Sequence, residues 1–114
     1  MFLGRVIGTV WATQKEPGLE GLKLQIVREV DLELKPKART VVAADVVQAG
    51  MGEIVLVSTG SAARQSPTVD GKPIDSLIMA VVDNLAWKTD DELEAAYVAR
   101  RDPIVAQIDA QEEI

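Results

Sequence analysis

Apolar residues gather along the chain in five short runs, at 2–12, 22–30, 39–47, 53–59 and 76–83, each rich in Val, Ile and Leu and each of strand length. Within "LKLQIVREV" the alternation is regular: Leu22, Leu24 and Ile26 share one face, and Lys23, Gln25, Val27 and Glu29 share the other. A period of two marks a half-buried strand, so the leucine face is expected to be buried and the mixed face mostly wet. In "MFLGRVIGTVWA" Gly4 and Gly8 fall on the face of Phe2, Val6 and Val10. Glycines at that spacing let a sheet coil sharply or let another backbone approach. The connectors "KEPGLEG", "KPKA", "AGMG" and "SPTVDGKP" carry plain turn chemistry. Five short strands with one longer connection predict an all-β fold, a small Greek-key (OB-like) barrel whose closure removes exposed strand edges.

After Trp87 the pattern changes from strand to helix. Thr89 is placed to cap a helix with Glu92 three residues on, Asp90 and Asp91 lie in its first turn, and Arg100-Arg101 precede Asp102-Pro103. A second helix is expected to start at Asp102 with Pro103 at its first position. Leu93, Ala96 and Tyr97 form one apolar stripe, and Ile104 with Ile108 another. Helices this short are marginal alone, so the stripes at Leu93, Tyr97, Ile104 and Ile108 must find a surface. Two readings stay open: packing on the barrel or a neighbouring subunit, or recognition of another protein.

Composition narrows the function. The 114 residues allow one barrel domain, 1–87, and an acidic helical extension, 88–114. The net charge of −6 sits mainly in the extension, which holds three Lys/Arg against eight Asp/Glu, whereas the first 87 residues hold nine against ten. Neither part has the basic surplus that nucleic acid requires. The chain has no Cys and no His, which removes thiolate and imidazole chemistry and the usual ligands of zinc, copper and haem. No metal or other cofactor is therefore expected. The apolar start is interrupted by Arg5 and reads as neither a signal peptide nor a membrane span, so a cytoplasmic protein is the default expectation.

Three features invite a chemical reading. "LVSTGSAARQSP" empties a strand through Gly60-Ser61 into a helical turn, as phosphate loops do, yet Ser61 as an N-cap, Gly60 at the corner and Arg64 as an ion-pair partner explain it as well. "QAGMGE" contains a Gly-x-Gly but leads into another β segment, which makes it a turn or bulge. Asp45, Glu53, Asp75 and Asp83 lie near strand ends, but no spacing marks two of them as an acid–base pair or a metal site.

Taken together, "MFLGRVIGTVWATQK", "LEGLKLQIV", "AADVVQAGMGEIVLVSTGSAAR" and "PIDSLIMAVVD" resemble the EutN/CcmL family of bacterial microcompartment shell vertex proteins, over about residues 1–83. The resemblance rests on the order of Gly8-Thr9-Val10, Thr13, Leu22-Lys23-Leu24, Asp45, Gly50, Gly52-Glu53, Gly60-Ser61, Ala63-Arg64 and Val82-Asp83. The chain departs from the pattern at Trp11, Gln48 and Met79-Ala80. What the resemblance implies is a non-enzymatic barrel that assembles as a cyclic homopentamer and fills the corners of a polyhedral shell in the cytoplasm. It further implies hexameric shell proteins as neighbours, Gly60 and Ser61 at the five-fold axis, and Arg64, Glu53 and Asp83 at the subunit interface. Enclosed enzymes met through the C-terminal helix are a further partner class. A rival reading is a small ligand- or nucleic-acid-binding barrel working as a monomer or dimer.

Overall fold

The computed structural model describes residues 1–67 and 74–112, without the side chains of Arg64 and of residues 102–112. The expected turn "SPTVDGKP" therefore lies mostly outside the described residues. Five strands form a closed barrel in the order β1-β2-β3-β5-β4, with β4 returning to β1. They are β1 (Phe2–Thr9), β2 (Lys23–Val30), β3 (Pro36–Asp45), β4 (Ile54–Thr59) and β5 (Ser76–Val81). Neighbours are antiparallel except β3 and β5, which run parallel because the chain crosses over through β4 and a short helix α1 (Gly60–Arg64). A single 3-10 turn at Pro17–Leu19 lies between β1 and β2, and a long helix α2 (Asp90–Glu112) follows β5.

The interior is filled by Phe2, Val6, Val27, Ala43, Ala49, Val55, Val57 and Ile78. Valines and alanines dominate because a five-stranded barrel has a narrow bore, which small and branched side chains fill without strain. Gly4 shows the same constraint: a Cβ there would run into Val27 Cγ1 and lie 3.1 Å from the Arg28 carbonyl oxygen. A second cluster, Ala44, Ala63, Ile74 and Leu77 with Leu19, Leu22 and Leu24 against it, lies outside the bore and docks α1 and the 3-10 turn on the wall.

Two expectations of facing are reversed. In β2 the inward residues are Gln25, Val27 and Val30, whereas Leu24 and Ile26 face out and are only half-buried. The alternation is as read; its polarity is not, because this barrel is apolar on parts of both surfaces. Gly4 and Gly8 also part company. The β1–β2 register slips between Val6 and Gly8, leaving Ile7 unpaired, and this bulge changes the parity of the strand. Gly4 then faces the interior beside Phe2 and Val27, while Gly8 lies under Ile26 on the outer wall.

The β2–β3 turn also differs from the expected one at "KPKA". Asp31 organises it: its Oδ1 accepts the N–H groups of Glu33 at 2.9 Å and Lys35 at 3.0 Å, and Leu34 takes a φ of +65°. Pro36 is then free to open β3, a position where no ladder donor is needed.

The two expected tail helices are one, running unbroken through Pro103. Proline's fixed φ is itself helical, so the ring costs α2 an N–H bond and some straightness without ending it. Its start is as predicted, with Glu92 N–H donating to Thr89 Oγ1 at 3.1 Å. No described helix is long and apolar enough to cross a membrane.

Candidate functional site: the barrel wall and the glycine–serine corner

At the end of β4 the chain turns at Gly60, whose φ of +64° requires glycine and whose N–H donates to the Asp75 carbonyl oxygen at 2.8 Å. The N-cap of α1 is Thr59, with no side-chain cap bond; Ser61, expected there, lies inside the first turn and is exposed. Ala63 is fully buried against the wall and anchors the turn. The corner is thus shaped by the backbone conformation of Gly60 and the burial of Ala63. The Arg64 side chain lies outside the described set.

The four strand-end carboxylates do not converge, and among the described residues no three Asp or Glu side chains come together as a metal site would need. The Asp45 side chain is fully buried and accepts the N–H groups of Val47 at 3.0 Å and Ala49 at 2.9 Å, with Lys23 Nζ 3.8 Å away. Glu53 is also spent locally: its carboxylate accepts the Gly50 N–H, closing the turn in which Gly52 takes a φ of +83°. That turn is stitched to β1 by Val6 N–H to Glu53 O at 3.0 Å, Gly52 N–H to Val6 O at 2.8 Å, and Arg5 Nη1 to Gly52 O at 2.8 Å. Asp75 and Asp83 are exposed. Asp83 borders a cleft of about 430 Å³ with Leu32, Leu34, Ile54 and Trp87.

Sequence reasoning missed Gln25. It is buried in the barrel, where its Oε1 accepts Thr9 Oγ1–H at 2.7 Å and its Nε2 donates to Ala49 O at 2.9 Å and Asp45 Oδ2 at 3.2 Å. This network ties β1, β2 and the end of β3 to the loop that follows, and no buried side-chain polar atom among the described residues lacks a partner. A glutamine in an alternating strand carries no signal of burial; only the matching Thr9 and Asp45 on the neighbouring strands reveal it.

The outer wall carries the unbalanced feature. Ile26 stands opposite Gly8 and Val42, so Ile7 (48% exposed), Ile26 and Val42 (51% exposed) make an apolar strip across β1, β2 and β3. A second bulge, between the pairs Leu56–Ala80 and Val57–Ile78, leaves Met79 exposed on β5. Both bulge residues, Ile7 and Met79, are thus apolar side chains aimed away from the core, as surfaces that meet other proteins require.

Comparison with known proteins gives the family. The profile of the family described as "Ethanolamine utilisation protein EutN/carboxysome" matches residues 1–83. The chain belongs to the EutN/CcmL family. It is 47% identical over 85 residues to the bacterial microcompartment shell vertex protein GrpN of Rhodospirillum rubrum, covering 75% of this chain and 96% of that protein. It is 43% identical over 90 residues to the vertex protein PduN of Salmonella typhimurium, covering 75% of this chain and 99% of that one. Among solved structures, the pentameric GrpN of Rhodospirillum rubrum superposes with a TM-score of 0.71 at 44% identity, over 77% of this chain and all of that one. Gloeobacter violaceus CcmL gives 0.73 at 40% identity, over 77% and 91%. Membership in the EutN/CcmL family confirms the reading from the motifs at Gly8, Asp45, Gly52 and Gly60. Residues 84–114, and with them α2, lie beyond the family profile.

Proposed function

We propose that this chain is a non-enzymatic structural protein whose rings of five cap the corners of a bacterial microcompartment shell. The observation that carries the reading is the apolar outer wall, Ile7, Ile26 and Val42 across β1–β3 and Met79 on β5, on a barrel whose relatives include a pentamer. A cyclic ring joins one patch of each subunit to a different patch of the next, and exposed apolar side chains on different strands supply surface for such contacts. A sheet of hexagonal tiles is flat, so a closed shell needs five-fold units at its corners. The proposal accordingly includes hexameric shell proteins as neighbours and a place in the cytoplasm at the shell.

Within the ring we assign Gly60 and Ser61 to the axis and Arg64, Glu53 and Asp83 to the contacts between subunits. Support comes from the resemblance of these positions to the family's motifs and from the exposure of Gly60, Ser61, Glu53 and Asp83. The residues 1–87 are taken as the complete shell unit and 88–114 as an addition to it. Binding of nucleic acid through a strand face finds no support: Phe2 is in the core with Arg39 over its ring at 4.5 Å, and Trp11 stands in a loop rather than on a strand.

Native mass spectrometry at micromolar protein should show five-subunit rings, and a persistent monomer or dimer would overturn the reading. Arg64→Ala should loosen the ring before the fold, since an interface partner left unpaired costs about 1 to 3 kcal/mol per contact. Light scattering and thermal melting would then separate.

A further inference from the structure

Two apolar surfaces, besides the cleft at Trp87, lie outside both the barrel interior and the outer strip. The first is a cleft of about 390 Å³ between the loop after β1 and the start of β2, lined by Thr9, Trp11, Lys15, Leu22, Lys23 and Leu24 among others. Trp11, at its mouth, is 90% exposed, the largest exposure of any large apolar side chain described. The second is the first half of α2. At about 100° per residue, Leu93, Asp90, Glu94, Tyr97 and Arg101 share an arc of roughly a quarter turn. Leu93 and Tyr97 are each more than half exposed, and Arg101 stacks over the Tyr97 ring at 5.9 Å.

We infer that the Trp11 cleft receives the Leu93–Tyr97 face of α2 from a second copy of this chain. Apolar side chains face apolar side chains, and two carboxylates of the arc answer two lysines of the cleft; Arg101, the arc's cation, is held over the Tyr97 ring, and Lys23 Nζ lies 3.8 Å from its own chain's Asp45. Lys15 and Lys23 are the charged side chains that line the cleft, and Asp90 and Glu94 flank the apolar pair on the helix. Glu16 and Glu20 belong to the same loop but do not line it. An exposed indole beside an aliphatic floor of Leu22 and Leu24 is the type of anchor that dominates binding energy, with lysines at the rim setting orientation.

The occupant comes from another copy because α2 leads away from its own barrel. The chain measures 81 Å along its longest axis against 27 and 22 Å across, and a 23-residue helix accounts for about 34 Å of that length. A helix so placed has its apolar face in water unless a neighbour covers it. In an assembly of many copies the neighbour's cleft is present at high effective concentration, so even a weak contact is occupied. The docking requires more than one copy but no particular ring size.

The test co-assembles isotopically light and heavy full-length chains and treats them with a zero-length carbodiimide, which joins a lysine only to a carboxylate it touches. Lys15 or Lys23 should be joined to Asp90 or Glu94, in light–heavy as well as like pairs, and trypsin should cut slowly at Arg100 and Arg101. Trp11→Ala should abolish these links and speed the cleavage several-fold, with the native mass of the assembly unchanged. Added salt should act in the same direction. Should Trp11→Ala disrupt the ring itself, the paired change Leu93→Ala with Tyr97→Ala carries the test, because it leaves the barrel untouched. Links confined to like pairs, absent links, or links that survive these variants overturn the proposal. Native mass alone reports on the five-subunit ring, so failure of that reading is seen separately.

Discussion

Barrel and tail helix solve the problem of burial in opposite ways. Between Phe2 and Val81 the chain satisfies itself: Val27, Val55 and Ile78 are fully buried, and a buried glutamine and a buried aspartate share partners across three strands. Between Asp90 and Arg101, where the side chains of the helix are described, the start is capped but Leu93, Tyr97 and Val98 are exposed. The barrel's stability is therefore a property of one chain, whereas the helix's stability depends on company. Substitutions should divide along that line.

The largest effect is expected at Asp45. Asp45→Ala leaves the Val47 and Ala49 N–H groups and the Gln25 amide without their buried acceptor, at about 1 to 3 kcal/mol for each unmet group. Denaturant unfolding should show a loss of at least about 3 kcal/mol, enough to threaten the fold of so small a domain. Asp45→Asn, which keeps one acceptor oxygen, should recover roughly half of it. A loss under about 1 kcal/mol would mean that water replaces the carboxylate and that the network is not the barrel's keystone.

Gly4 comes next. A methyl at that position meets Val27 and the Arg28 carbonyl, so Gly4→Ala should cost about 1 to 3 kcal/mol through overpacking. Gly8→Ala sharpens the comparison, because the nearest atom to its Cβ would be the Ile26 Cδ1 methyl at 3.2 Å, the far end of a side chain that can move, with Ile26 Cβ and Cγ1 at ordinary contact distances of 3.6 and 3.7 Å. It should cost clearly less. Equal costs would contradict the change of parity at Ile7.

What could be read from the chain follows the same division. The five strands and the closed barrel were legible because runs of β-branched residues separated by turn residues leave few other solutions. The cap at Thr89 was legible because its chemistry is local. The inward face of β2 was not, since Leu24 and Ile26 serve surfaces outside the bore and so copy the look of a core. Gln25 was hidden because its partners, Thr9 and Asp45, come from other strands. Asp31 was overlooked because the later "KPKA" offered a more familiar turn, and Pro103 misled because proline marks a helix start and tolerates a helix interior with the same φ. At Gln25 and in the facing of β2 the deciding partner was distant in sequence; at Asp31 and Pro103 the local chemistry allowed two outcomes.

A third prediction separates assembly from folding. Val42→Asp places a charge on the exposed apolar strip, where the isolated barrel has water to solvate it, so the fold should change by less than about 0.5 kcal/mol. In the proposed ring the same carboxylate is desolvated once per subunit, and native mass spectrometry should show rings giving way to smaller species. An intact ring would remove the strip of Ile7, Ile26 and Val42 from the contact between subunits.

The smallest effect on the barrel is expected from Thr89. Its hydroxyl accepts the Glu92 N–H and its carbonyl accepts the Leu93 N–H at 2.9 Å, so Thr89→Ala withdraws one cap from a helix whose first turn also holds Asp90, Asp91 and Glu92. Loss of such a cap costs about 1 kcal/mol, and the cost falls on the helix alone if no strand supports it. Far-ultraviolet circular dichroism should record reduced helical signal while the cooperative melting of the sheet stays within about a degree of its original temperature. Pro103→Ala is the opposing change: it restores one backbone N–H and should raise the helical signal, again without moving the sheet transition. If either substitution shifts that transition by several degrees, α2 and the barrel unfold as one unit, and the helix has found on its own chain the surface that its exposed Leu93 and Tyr97 lack here.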